Sequence, residues 1–118
     1  MANDGEVSVL TNLVGEQLSS VTFVQDYVQL SFNGPCLTLF TWPVVIISER
    51  AISKHEQNYK DALCAQIGIQ IASTILNPSD CLTILFSNSI ILQVSLKDED
   101  YVAAEAVMFQ SDQGWWVL

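Results

Sequence analysis

The stretch that decides the fold reads Val21-Thr22-Phe23-Val24-Gln25-Asp26-Tyr27-Val28-Gln29-Leu30-Ser31-Phe32-Asn33-Gly34-Pro35. Val21 and Phe23, then Val28, Leu30 and Phe32, recur at every second position. Successive strand side chains point to opposite faces, so this spacing predicts two half-buried strands joined at Gln25-Asp26. Asn33-Gly34 is the dipeptide best suited to two positive φ angles, which predicts a tight type I′ hairpin turn. A third strand is expected from Cys36 to Trp42. Pro35 is tolerated at its start because a first strand residue need not donate to the ladder, and Pro43 ends it.

The same order returns downstream. Ile69 to Ile75 alternates, Asn77-Pro78-Ser79-Asp80 reads as a turn, and Leu82, Ile84 and Phe86 resume the period of two. Ser87-Asn88-Ser89 then leads into a strand from Ile90 to Val94. Gly15 aligns with Gly68, Leu18 with Ile71, Val28 with Leu82, Leu30 with Ile84 and Phe32 with Phe86, with one inserted residue. The alignment suggests an internal duplication of residues 13–45 and 66–96. Each repeat has an apolar prelude at helical spacing: Val7, Leu10 and Val14 before Gly15, and a segment from Glu56 to Ile67 before Gly68. Tyr101 to Ala106 is expected to make a helix-like turn feeding a strand over Glu105 to Gln110. Asp112-Gln113-Gly114 and Trp115 to Leu118 then read as a closing hairpin. The expected architecture is a single α+β domain over residues 1–118, predominantly antiparallel β, with seven or eight strands and one or two helices.

Half of the 118 residues are hydrophobic and 14% are charged, so the chain has the means to bury a core. No apolar run reaches the roughly 18 residues a membrane-spanning helix needs. The segment Met1 to Glu6 lacks the basic and apolar regions of a secretory signal, so a cytoplasmic location is expected. The net charge of -9 and only four Lys and Arg argue against clamping nucleic-acid phosphates or anionic membranes, and favour a basic partner. Cys36, Cys64 and Cys81 form no C-x-x-C spacing and are expected to be reduced, buried packing residues.

No catalytic, cofactor-binding or metal-ligating set is expected. His55 is the only histidine and reads as a solvated loop or helix-start residue. Cys64 beside Leu63 and Ala65 reads as packing rather than as the thiol of a Cys/His pair with His55. Asp98-Glu99-Asp100 lacks the glycine and terminal glutamate of a calcium loop and reads as a solvated acidic loop. Arg50, Lys54 and Lys60 concentrate most of the positive charge near His55. Glu49, Glu56 and Asp61 are expected to neutralise them through local ion pairs.

Three tryptophans mark the candidate interface. Trp115 and Trp116 are adjacent on a strand and must face opposite sides, and Trp42 precedes Pro43. Asp26 to Pro35 and Glu105-Ala106-Val107-Met108-Phe109-Gln110 resemble segments of small bacterial β-rich proteins, and the resemblance covers a fraction of the chain. It carries over no functional residue; by analogy, some small acidic bacterial proteins of this kind are immunity proteins that neutralise toxins. Together these observations lead us to expect a non-enzymatic interaction module, an acidic inhibitor or immunity-type partner of a basic protein. The alternative is a carrier holding a small apolar ligand among Phe23, Phe32, Trp42 and Trp115. Mean hydropathy of +0.34 with so few charges also predicts a homodimer through Trp42, Trp115 and Trp116.

Overall fold

A computed structural model describes residues 10–111 and 114–118. The first three strands of the described residues are antiparallel: β1 (Leu18–Val24), β2 (Tyr27–Phe32) and β3 (Cys36–Leu39). The alternation in β2 is strict, with Val28, Leu30 and Phe32 buried and the residues between them half-buried. The second half repeats the arrangement in β6 (Ile71–Asn77), β7 (Cys81–Phe86) and β8 (Ile91–Ser95), where Leu82, Ile84 and Phe86 are the buried set.

Between and after these meanders stand two hairpins, β4 (Val44–Ile47) with β5 (Arg50–Ile52), and β9 (Val107–Ser111) with β10 (Gly114–Val117). Each hairpin crosses to the sheet of the other half. One sheet has the order β1-β2-β3-β9-β10 and the other β5-β4-β8-β7-β6. Among the described residues the strands therefore number ten in two antiparallel sheets, against an expected seven or eight. The missed pair is β4 and β5. Val44-Val45-Ile46-Ile47 is an unbroken apolar run with no period of two, and its turn, Ser48-Glu49, takes positive φ (49° and 69°) without glycine or asparagine.

That two-residue loop carries the paired positive φ angles expected at Asn33-Gly34. Gly34 alone turns positive there, at 112°. A type I′ turn would need an N–H from the fourth residue, and Pro35 has none. Instead, Phe32 donates its N–H to the Pro35 carbonyl at 2.9 Å, and Gly34 donates to the Phe32 carbonyl at 2.8 Å.

The halves meet in a reciprocal hydrogen-bond exchange. Gly15 N–H donates to the Ile71 carbonyl at 2.8 Å, and its counterpart Gly68 N–H donates to the Leu18 carbonyl at 2.7 Å. Leu18 N–H donates to Ile69 at 3.1 Å, and Ile71 N–H donates to Glu16 at 2.9 Å. Gln17 and Gln70 form the antiparallel bridge at the centre, on a local two-fold axis. Gly15 and Gly68 have φ of 89° and 91°, and a Cβ on either would meet nothing within 4 Å, so backbone conformation rather than space calls for glycine. The strands after them carry the same irregularity, between Leu18 and Ser20 and between Ile71 and Ser73. In the fold the repeat is longer than residues 13–45 and 66–96, because each unit includes its exchanged hairpin.

Helical structure is slight. Helix α1 (Tyr59–Cys64) is six residues long, shorter than the expected Glu56 to Ile67. It starts late because Glu56 is used in a preceding turn, its carboxylate accepting the Ser53 N–H at 2.7 Å. Of the first prelude, Val7 lies outside the described residues, while Leu10 and Thr11 are helical and lead through a turn to Gly15. The helix-like turn expected over Tyr101 to Ala106 lies earlier, as a 3-10 turn at Asp98–Asp100, and residues 101–106 are irregular. Of the closing turn, Asp112 and Gln113 lie outside the described residues.

Buried side chains from both sheets and α1 form one core that includes Leu30, Leu37, Ile84, Leu92, Val45, Tyr59 and Phe109. The cysteines are free but not buried as expected: Cys36 and Cys81 are half-buried and Cys64 is exposed. Tyr59, Ala62 and Leu63 take the inward face of α1, which turns Cys64 outward. No helix among the described residues is long and apolar enough to cross a membrane.

Candidate functional site

The two halves differ most where each meander hands the chain to its exchanged hairpin. Leu37 pairs with Leu30 in one half and Leu92 with Ile84 in the other, so Leu39 corresponds to Val94 and Thr41 to Leu96. Val45 pairs with Leu92, and Phe109 with Leu37, so these two also correspond. Six positions separate Leu39 from Val45, whereas fifteen separate Val94 from Phe109. The second link is therefore nine residues longer, and its extra length stands beside the first link.

A cleft of about 310 Å³ opens between them. Phe40, Thr41 and Trp42 of the short link form one wall, and Asp100 and Val102 of the long link face them. Ser53, Lys54 and His55, between β5 and α1, complete it. A second recess of about 480 Å³ shares Phe40, Trp42, Lys54 and Val102, and reaches Gln25, Asp26 and Ala103.

Trp42 anchors the site. It stacks on Tyr59 (centroids 6.2 Å apart, 25° between planes) and tilts against Phe23 at 6.1 Å. Tyr59 is buried beneath it and donates its hydroxyl to the Pro43 carbonyl, fixing the short link. Burial pushes the Tyr59 phenol up from its ordinary range because the phenolate would lose its hydration. Tyr101 is pushed in the same direction, by burial first and by the neighbouring Asp98 charge second. Ser95 donates its hydroxyl to the Asp100 carboxylate and accepts the Lys97 N–H at 3.3 Å, which ties down the start of the long link.

Ion pairing neutralises the basic segment only in part. Arg50 pairs with Glu56 at 3.9 Å on the surface, but Lys54 Nζ lies 5.9 Å over the Trp42 ring and Lys60 Nζ lies 5.5 Å over Phe23. Neither lysine has a carboxylate within 4 Å among the described residues. The ring faces attract the ammonium groups and hold them along the aromatic row. His55 is exposed at the cleft rim, as a solvated loop residue should be.

Thr41 is the anomaly in the wall. It is buried, and its hydroxyl oxygen has no hydrogen-bond partner among the described residues. An unpartnered buried hydroxyl costs about 1–3 kcal/mol. Leu96, its counterpart, fills the equivalent buried position without that cost.

The three candidate interface tryptophans lie in different surroundings. Trp115 is 65% exposed on β10, at the edge of its sheet. Trp116 is half-buried and packs on Phe109 at 6.1 Å, the opposite face that strand alternation demands. Trp42 is in the cleft. Of the residues expected to surround an apolar ligand, Phe23 and Trp42 are brought together, while Phe32 belongs to the core and Trp115 stands exposed. Nothing local in the sequence singled out Phe40, Thr41 or Val102, and Asp100 read only as part of a solvated acidic loop. The unequal links of the two repeats were the signal that could have found them. No family model, curated protein or solved structure matches the chain.

Proposed function

We propose that this chain is a non-enzymatic interaction module, an acidic inhibitor or immunity-type protein that engages a basic partner through its long link. One observation carries this reading: Asp98, Glu99 and Asp100 are exposed beside Val102, which is 74% exposed, on a segment the other half lacks. An apolar contact ringed by carboxylates suits a cationic surface with an apolar centre, and the charge of -9 would steer the encounter. The reading belongs in the cytoplasm, where three free thiols stay reduced. We also infer that the repeated halves descend from one duplicated unit.

The test pairs the purified chain with basic proteins encoded by neighbouring genes and measures affinity at low and at physiological salt. Binding that weakens with salt, and at least tenfold in Asp98→Asn/Asp100→Asn/Val102→Ser, supports the reading. Absence of such a partner, or a complex indifferent to both changes, overturns it.

The proposal extends to a homodimer in which β10 pairs with β10 of a second copy and Trp115 is covered. An edge strand with an exposed tryptophan favours such an isologous contact, and charges more than about 8 Å apart are largely screened at physiological salt. Sedimentation equilibrium at micromolar concentration should give twice the chain mass, and Trp115→Ser should restore the monomer. A wild-type mass that stays at 13.1 kDa rules the dimer out.

A second reading, a protein that binds a small apolar ligand, is favoured by the aromatic cleft at Trp42. Concave sites with apolar walls and a few polar groups are where small molecules bind.

A further inference from the structure

We infer that the cleft is a binding site for a small planar aromatic monocarboxylate, its ring against Trp42 and its carboxylate at Lys54. The inference rests on the second reading and supplies the ligand's chemical class.

Charge distribution points to an anion. In an acidic chain, the cleft holds Lys54, which has no carboxylate within ion-pair distance among the described residues. Its Nζ lies 5.9 Å over the ring of Trp42, which is half-buried and lines the cleft, so a ligand that meets Trp42 also meets the ammonium. A carboxylate there completes an ion pair that the chain itself leaves open. Phe40, Trp42 and Val102 supply apolar walls, and about 310 Å³ accommodates one or two fused rings. The charge limit comes from the same walls. Asp100 lines the cleft and Asp26 the adjoining recess, so a second negative group on the ligand would meet repulsion.

Thr41 is an independent sign. The matching position of the other half is filled by the buried Leu96, so the fold does not require a hydroxyl here. Thr41 lines the cleft, so a ligand oxygen bound there would give its unpartnered hydroxyl a partner. The nine extra residues of the long link provide the facing wall, so the departures from two-fold symmetry gather around one cleft.

Indole-3-acetate and its uncharged isostere indole-3-acetamide separate the possibilities when titrated into the full chain, with the Trp42 indole N–H resonance as the readout. Acetate is expected to bind about tenfold more tightly than acetamide, and Lys54→Gln, at an exposed position, should remove the advantage. Thr41→Val should weaken acetate binding without lowering the melting temperature. Equal binding of the two probes, or an advantage that survives Lys54→Gln, overturns the carboxylate assignment and leaves an apolar site. No displacement of the Trp42 resonance by either probe at millimolar concentration overturns the site itself.

Discussion

Replacing Tyr59 with alanine is expected to lower the unfolding free energy by about 3–5 kcal/mol, the cost of emptying a buried aromatic site. Tyr59 is the largest fully buried side chain of the core, and its position on α1 puts its ring beneath Trp42 and its hydroxyl on Pro43. Alanine therefore removes both the packing under the cleft and the bond that fixes the short link. Tyr59→Phe keeps the ring and should cost about 1–3 kcal/mol, because the Pro43 carbonyl loses its donor. The two variants also differ in pH dependence. Burial raises the folded phenol above its unfolded value of about 10, so the unfolded chain releases that proton first as pH rises. Stability from this group is fully present below about pH 10 and declines above it. Tyr59→Phe should remove that decline. Urea midpoints at pH 7 and pH 10.5 for wild type and Tyr59→Phe measure the difference, and equal alkaline losses in both would disprove the role assigned to Tyr59.

Eight of the ten strands among the described residues were legible because amphipathic strands write their burial into a period of two, as Val28-Leu30-Phe32 and Leu82-Ile84-Phe86 do. The hairpin of β4 and β5 was not, since an unbroken apolar run has no period and Ser48-Glu49 lacks the residues that usually mark positive φ. The repeat was legible in spacing, but the exchange of hairpins was not, because strand pairing is set by long-range packing and leaves no local mark. The cleft was hidden for the same reason. Trp42, the Arg50 to Lys60 segment and Asp98-Glu99-Asp100 each stood out, yet only the crossing of the hairpins places the two links side by side.

That crossing predicts that a cut between Gln57 and Asn58 leaves two fragments that fold together and not alone. Fragment 1–57 holds β1 to β5, but β3 needs β9 beside it and β4 needs β8. Fragment 58–118 has the complementary deficit. Without the partner, each meander exposes the edge of its third strand and much of the apolar face meant for the shared core. A fragment could imitate the exchange with a second copy of itself, since the halves correspond. In fragment 1–57 that would put Val45 where Phe109 packs, leaving a void at the centre of the sheet, so the mixed pair is preferred. The cost of the cut itself is moderate. A short link holds its ends at an effective concentration on the order of mM, so fragments at about 10 µM forfeit roughly 3 kcal/mol. At this chain length that lowers the melting temperature by about 10 °C. Circular dichroism of each fragment should show no cooperative transition, and the equimolar mixture should show one. A single fragment that melts cooperatively as a monomer would mean that its five strands close a core by themselves, which the exchanged hairpins forbid.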